Sequence, residues 1–411
     1  MQHNIAIVVA AYNRPDSLKR LLCSLSNANY NGYKSIKLIV SVDFSGNDDC
    51  KNIANAFEWK YGEKEVIVFI ENLGLKNHII SCGDYSKLYD GVIVLEDDLF
   101  VAQCFYDYAQ QAFAFYNNDN GIAGIALYNY RYNELAHCPF EPIVDNHDNY
   151  FLQVPCSWGQ LWTKKQWLSF KDYLLDETFE NENILLPPAV KNWPVVTSWK
   201  RTFYKFMVYS SKYFVYPRIS LSTNFGDSGT HFSNPEYVWQ TPILMGIKIF
   251  RFSNLNESIC IYDSYYELDI KSYRRIIGDD EISVSFDLNG IKPINTISTK
   301  YLISSKKCNA PNITYLPNLY PYESNIIYNL TGVKNNNLIF SYGEKYLFED
   351  ELTGNRIEED IRRTLPHMGY LLDLGKAEVY KSLAYKLGNK VLKLISLPRY
   401  FKSKIFKSNL H

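Results

Sequence analysis

Residues 92–98 read Val92-Ile93-Val94-Leu95-Glu96-Asp97-Asp98, an apolar run that stops on three consecutive carboxylates. Neighbouring acids repel one another, and burying them is costly unless a cation shares their charge. Hard divalent ions such as Mg²⁺ and Mn²⁺ prefer oxygen ligands, commonly one or two carboxylates together with substrate phosphates. One reading of Glu96, Asp97 and Asp98 is therefore a metal–diphosphate site. The other is an acidic N-cap on a following helix, where Asp and Glu favour the first turn.

The elements around the acids bear on that choice. The unbroken β-branched run before them is typical of a strand buried on both faces. Ile5–Ala11 reads as a first strand of the same kind, and Arg14-Pro15-Asp16-Ser17 as turn chemistry leading into a helix with Leu18, Leu21, Leu22 and Leu25 on one face. Ser35–Val42 and Glu65–Ile70 are the next expected strands, with helices over Asn47–Phe57 and Lys76–Tyr89. Alternating strands and helices predict an α/β fold with a mostly parallel, doubly wound sheet. Polar groups follow each strand: Asn13-Arg14, Asp43, Asn72 and Glu96-Asp97-Asp98. They fall at the carboxyl edge of the sheet, where such folds bind ligands. Neither a Gly-x-Gly-x-x-Gly fingerprint nor a P-loop is present, which disfavours a dinucleotide dehydrogenase and a P-loop NTPase.

Beyond residue 120 the pattern becomes irregular and rich in Trp and Pro, including Trp158-Gly159 and the Gly-rich stretch Gly226–His231. That stretch reads either as a plain loop or as a lid over a ligand. Three regions are expected: residues 1–250 as the main α/β domain, 251–345 as a small β-rich region, and 346–411 as a helical tail. From Val379 onward the tail has no acid, but it carries Lys381, Lys386, Lys390, Lys393, Arg399, Lys402, Lys404 and Lys407. A basic amphipathic helix suits either contact with an anionic membrane or packing on the body with a solvated basic face.

Bulk properties exclude other classes. The 411 residues carry a net charge of −1, which argues against a nucleic-acid partner. Eight cysteines are scattered without a C-x-x-C pair, neither a disulfide framework nor a zinc site. Signal-peptide features are lacking at the N-terminus, and no stretch approaches the ~18–20 apolar residues of a membrane span. A cytoplasmic location, peripheral at the inner face of a plasma membrane if the tail binds lipid, is the expectation.

The chain up to about residue 240 resembles GT-A fold nucleotide-sugar glycosyltransferases, and within them the N-acetylglucosaminyltransferase I family. The matching pieces are Ala10-Ala11-Tyr12-Asn13-Arg14, Ile39-Val40-Ser41-Val42-Asp43 and Val94-Leu95-Glu96-Asp97-Asp98-Leu99. Val101-Ala102, Phe105-Tyr106-Asp107-Tyr108, Trp158-Gly159 and Tyr216–Ser220 continuing to His231 follow in order. The resemblance implies Mn²⁺ or Mg²⁺ on Asp98, bridging the diphosphate of a UDP-sugar donor. It puts Glu96 and Asp97 near the donor ribose and sugar, Ala11, Arg14 and Asp43 at the nucleotide, and His231 in a segment that orders over the donor.

One position departs from the family. Its general base is an Asp just before a Trp, in a segment matching Val196-Thr197-Ser198-Trp199, and here Ser198 stands there. An inverting transferase needs a proton acceptor. Asp227 is then the first candidate, followed by Asp172, Asp176, Glu177 and Glu182, unless the anomeric configuration is retained. The expected function is transfer of a sugar from a UDP-sugar, UDP-GlcNAc or a related hexose, to a glycan or lipid-linked glycan in bacterial surface polysaccharide assembly. Two classes compete with it: a non-catalytic carbohydrate- or nucleotide-sugar-binding relative, and a sugar nucleotidyltransferase. The latter usually has a Gly-rich phosphate loop where Tyr12-Asn13-Arg14-Pro15 stands.

Overall fold

A computed structural model describes residues 2–175, 184–227, 237–332, 338–353, 360, 366–382 and 385–387. The first half alternates β1 (Ile5–Ala11), α1 (Pro15–Ser26), β2 (Leu38–Val42), α2 (Asp49–Ala56), β3 (Lys64–Val68), α3 (Gly74–Asp84) and β4 (Gly91–Glu96). A short β5 (Leu99–Val101) and helix α4 (Phe105–Tyr116) come next. Then follow β6 (Ile122–Ala126), β7 (Tyr132–Asn133), β8 (Cys138–Pro139), β9 (Asn149–Leu152), β10 (Gln160–Thr163), α5 (Lys164–Leu175), α6 (Pro188–Lys191), α7 (Trp199–Tyr209), β11 (Tyr213–Pro217), β12 (Ser222–Asn224) and β13 (Ile261–Tyr262).

Nine of these strands form one sheet in the order β13-β9-β11-β6-β10-β4-β1-β2-β3. It is mostly parallel: β1 pairs in parallel with β2 and β4, β2 with β3, β6 with β11, and β9 with β13. β10 runs antiparallel between β4 and β6, and β9 antiparallel to β11. The expected α/β architecture is therefore present. Strand periodicity builds it: Ile5, Ile7, Val9 and Ala11 of β1 join the core under α1 and α4, while Ala6, Val8 and Ala10 join the core under α3, α5 and α7. In α1, Leu18, Leu21, Leu22 and Leu25 are all buried, as their spacing requires.

The strand order creates the site. The chain runs β1, β2, β3 in one direction, then returns to place β4 on the other side of β1. That reversal opens a crevice at the carboxyl ends of β1 and β4. The register sets Ala10 opposite Glu96 and Ala11 opposite Val42, so Tyr12-Asn13-Arg14, Asp43 and the three acids share one edge. Because β10 is antiparallel to β4, with Gln160 opposite Val94, the Trp158-Gly159 segment entering β10 reaches the same edge.

Several boundaries differ from the sequence expectation for local reasons. β2 starts at Leu38 rather than Ser35, since Ser35 has φ 53°, a left-handed conformation that no strand accommodates. The acids are not a helix cap: β5 follows them, and α4 is entered through Cys104. The irregular stretch after residue 120 contributes β6, β9, β10 and β11 to the main sheet.

The remainder of the compact unit Met1–Thr353 contains α8 (Ile270–Ile277), β14 (Val284–Asp287), β15 (Tyr301–Ser304), β16 (Lys306–Cys308), β17 (Ile313–Tyr315), α9 (Glu323–Ile327), β18 (Phe340–Glu344) and β19 (Phe348–Leu352). A four-stranded sheet, β14-β15-β18-β17, packs Phe286, Ile303, Tyr315 and Phe340 into the same core as β4 and β10. Residues 354–411 form a second unit with a helix over Pro366–Lys381. The basic helix expected over 379–411 lies mostly outside the described residues. Among the described residues, no helix is long and apolar enough to cross a membrane. All eight cysteines are free.

Candidate functional site

Arg14, leaving β1, turns its guanidinium onto the acids that leave β4. Nη1 donates to Asp98 Oδ2 at 2.7 Å, and Nη2 pairs with Asp97 Oδ1. The Tyr12 amide donates to Asp97 Oδ2 at 3.3 Å. Burial works against the Arg14 charge, but the fields of Asp97 and Asp98 outweigh it and hold the group above its ordinary range. Asp97 is 2% exposed, and burial pushes its carboxyl up to about 6 despite Arg14. Glu96 is pushed up to about 8, first by desolvation and then by Asp98, with Arg14 and Lys200 opposing.

Asp98 Oδ1 is buried without a hydrogen-bond partner. A single unpartnered carboxylate oxygen suits a hard divalent cation whose remaining ligands come from phosphates and water. Among the described residues, no group of three His, Cys, Asp or Glu side chains forms a complete cage. Asp98 Oδ1 is the residue atom here that would hold Mn²⁺ or Mg²⁺ alongside a diphosphate.

Asp43 closes the other side of β1. It is 4% exposed; Oδ1 accepts from the amides of Phe44 and Leu73, each at 2.9 Å, and Oδ2 from Gly74 at 3.1 Å. It thus takes the first amides of α3, which follows the neighbouring β3, rather than those of the α2 helix that follows it in sequence. Ala11, beside it, is buried, and its carbonyl accepts from the Asp43 amide at 2.9 Å. Beneath them, Ser41 Oγ meets His78 Nε2 at 2.8 Å, and burial lowers the proton affinity of His78 against the opposing field of Asp43.

Asp227 sits close to the acids in the chain path, since the Phe225 amide donates to the Asp98 carbonyl at 3.0 Å. Its side chain, however, faces α1: Ser17 Oγ donates to Oδ2 at 2.6 Å, and Arg20 forms an ion pair with the same oxygen. Ser198 is the N-cap of α7, its Oγ accepting from the Arg201 amide at 3.1 Å. Asp172 lies on α5, whose Lys171 pairs with Asp84 at the far end of α3. His231, Asp176, Glu177 and Glu182 lie outside the described residues.

Sequence reasoning missed a second polar group. Lys200, in the first turn of α7, donates to Glu134 Oε1 at 2.7 Å, to Oε2 at 3.0 Å and to the Tyr130 hydroxyl at 3.1 Å. Its ammonium also lies 5.3 Å from the ring centres of both Trp158 and Trp193. Trp158 in turn stacks on Trp239 with centroids 4.9 Å apart. Glu134 lies in the β7–β8 turn, where Asn133 Oδ1 accepts from Leu135 and Ala136 at 2.9 and 3.1 Å. Only the Trp158-Gly159 pair hinted at this group.

In the metal-free protein, folded Glu96 keeps its proton up to about pH 8, whereas the ordinary value is 4.5. The folded state binds more protons across that window, so stability falls as pH rises through it. Glu96→Gln removes this titration and is expected to flatten the fall. Urea midpoints in EDTA at about pH 5 and about pH 8 measure it, and a slope equal to wild type would contradict the assignment.

The family described as glycosyl transferase family 2 matches residues 6–155, which include β1 to β4 and the three acids. No curated protein matches the chain. Among solved structures, the mannosyltransferase PcManGT from Pyrobaculum calidifontis, in complex with GDP-Man and Mn²⁺, is similar at 9% identity and a TM-score of 0.30 over 43% of this chain and 47% of that one. S. aureus TarS 1–349 is similar at 11% identity and a TM-score of 0.35, over 53% of this chain and 59% of that one. GalNAc-T7 with UDP, GalNAc and Mn²⁺ gives 13% identity and a TM-score of 0.38, over 53% and 43%. The chain spans about half the length of these structures.

Proposed function

We propose that the chain is a metal-dependent glycosyltransferase that moves a sugar from a UDP-sugar, UDP-GlcNAc or a related hexose, to a glycan acceptor in bacterial surface polysaccharide assembly. One observation carries this reading: three acids and Arg14 meet at the switch point of the sheet, with one Asp98 oxygen buried and unpartnered. The glycosyl transferase family 2 match over the same strands supports it. Kinship with the N-acetylglucosaminyltransferase I family rests on the sequence pieces alone.

Each residue has a part in the proposed reaction. Asp98 holds the cation, and Arg14 offsets the charge of Asp97 and Asp98 while presenting a guanidinium to an anionic donor. Asp43 fixes the α3 amides against β2 and so shapes the nucleotide side of the crevice. Bound Mn²⁺ or Mg²⁺ would neutralise charge developing on the departing diphosphate. Ser198 as a helix cap favours a second reading, a non-catalytic nucleotide-sugar binder. Turnover separates the two.

Thermal shift against a panel of UDP-sugars with Mn²⁺ is expected to single out the donor, which at 100 Kd stabilises the fold by about 2.7 kcal/mol. Asp98→Ala is expected to abolish that shift and to lower UDP release at least about 100-fold. Wild-type affinity and turnover in the variant would refute the metal assignment. The acceptor is proposed to be lipid-linked, the basic segment 379–411 resting on an anionic membrane. Co-sedimentation with phosphatidylglycerol vesicles is expected, and binding that survives deletion of 379–411 would contradict it.

A further inference from the structure

We propose that Glu134 is the proton acceptor for the sugar hydroxyl that attacks the donor. This rests on the transferase reading above and adds the residue that takes the proton. Inversion requires the incoming hydroxyl and its base on the face of the donor sugar opposite the departing group. The sheet order β6-β10-β4-β1 sets the sides: Arg14 and the nucleotide crevice lie towards β1, and Trp158, between β4 and β6, towards the other side. Asp227 is tied to Ser17 and Arg20 on α1, the helix that follows Arg14. Glu134 follows β6 and is held by Lys200, whose ammonium lies 5.3 Å from the ring of Trp158, the residue that leads into β10 beside the end of β4.

The surroundings suit the task. The Glu134 and Lys200 side chains are 14% and 13% exposed, so the pair is shielded yet open to a ligand. Lys200 Nζ fixes the carboxylate from one side, donating to both oxygens at 2.7 and 3.0 Å. The other titratable groups facing Glu134 are Tyr128 and Tyr130 beyond β6, Tyr204 on α7, Tyr216 on β11 and Tyr266 after β13. Burial raises all five phenols, so they stay neutral and do not compete for the proton. Half-buried Trp158, Trp193 and Trp239 stand at the same place and offer flat apolar faces to a sugar ring. In the step itself, the hydroxyl oxygen forms its bond to the anomeric carbon as the bond to the diphosphate oxygen breaks. That electron pair leaves with UDP, and the hydroxyl proton passes to Glu134.

The test uses the full chain with Mn²⁺, UDP-glucose, UDP-galactose and UDP-N-acetylglucosamine as α-linked donors, and methyl glycosides as acceptor probes. With the donor that wild type turns over, E134Q is expected to lower kcat at least about 100-fold while the thermal shift given by UDP and Mn²⁺ stays as in wild type. The product is expected to carry the β anomer by NMR. An E134Q rate within about threefold of wild type, or a retained α anomer, overturns the proposal. If E134Q does not melt cooperatively, E134D decides: a kcat at least about tenfold lower with unchanged UDP affinity supports it, and a wild-type rate overturns it. Should wild type neither bind nor turn over any of the donors, the transferase reading falls and this inference with it.

Discussion

A buried strand that ends in three carboxylates must find positive charge, and in this chain the charge comes from the strand beside it. β4 delivers Glu96, Asp97 and Asp98 to the middle of the sheet edge, and β1 delivers Arg14 to meet them. The compensation is incomplete: burial still pushes Glu96 and Asp97 towards protonation, and one Asp98 oxygen has no partner. A folded protein rarely leaves such a group without a use. In the proposed function, a cation and an anionic ligand arriving together complete these electrostatics.

Everything else at that edge serves one side of the acids or the other. Towards β2 and β3, Asp43 draws three amides onto one carboxylate and locks the start of α3. Towards β10 and β6, the antiparallel insertion of β10 brings Trp158 across from the end of β4, and α7 brings Lys200 over it. The parallel half thus presents backbone and charge, which in the proposed function meet the nucleotide. The half containing β10 presents rings and one ion pair, chemistry suited to sugars.

How much of this was legible depended on sequence distance. β1 to β4 were readable because parallel strands buried on both faces appear as continuous apolar runs. The strands beyond residue 120 were not, because short, aromatic-rich runs such as Asn149–Leu152 carry no clear period. The carboxylate triplet announced itself by ending a strand. The capping role of Asp43 was hidden, since its amide partners lie 30 and 31 residues away. The Glu134–Lys200 pair, separated by 66 residues, had no local signature at all. Ser198 was visible as a poor base, but only the fold showed it engaged as a helix cap.

The central claim is that Asp98 holds a divalent cation together with a nucleotide diphosphate. The most direct measurement is an anomalous difference map from crystals grown with UDP and Mn²⁺. The account expects one peak at about 2 Å from an Asp98 carboxylate oxygen, shared with the diphosphate. A diphosphate bound with no manganese at Asp98, or manganese held elsewhere, would contradict it.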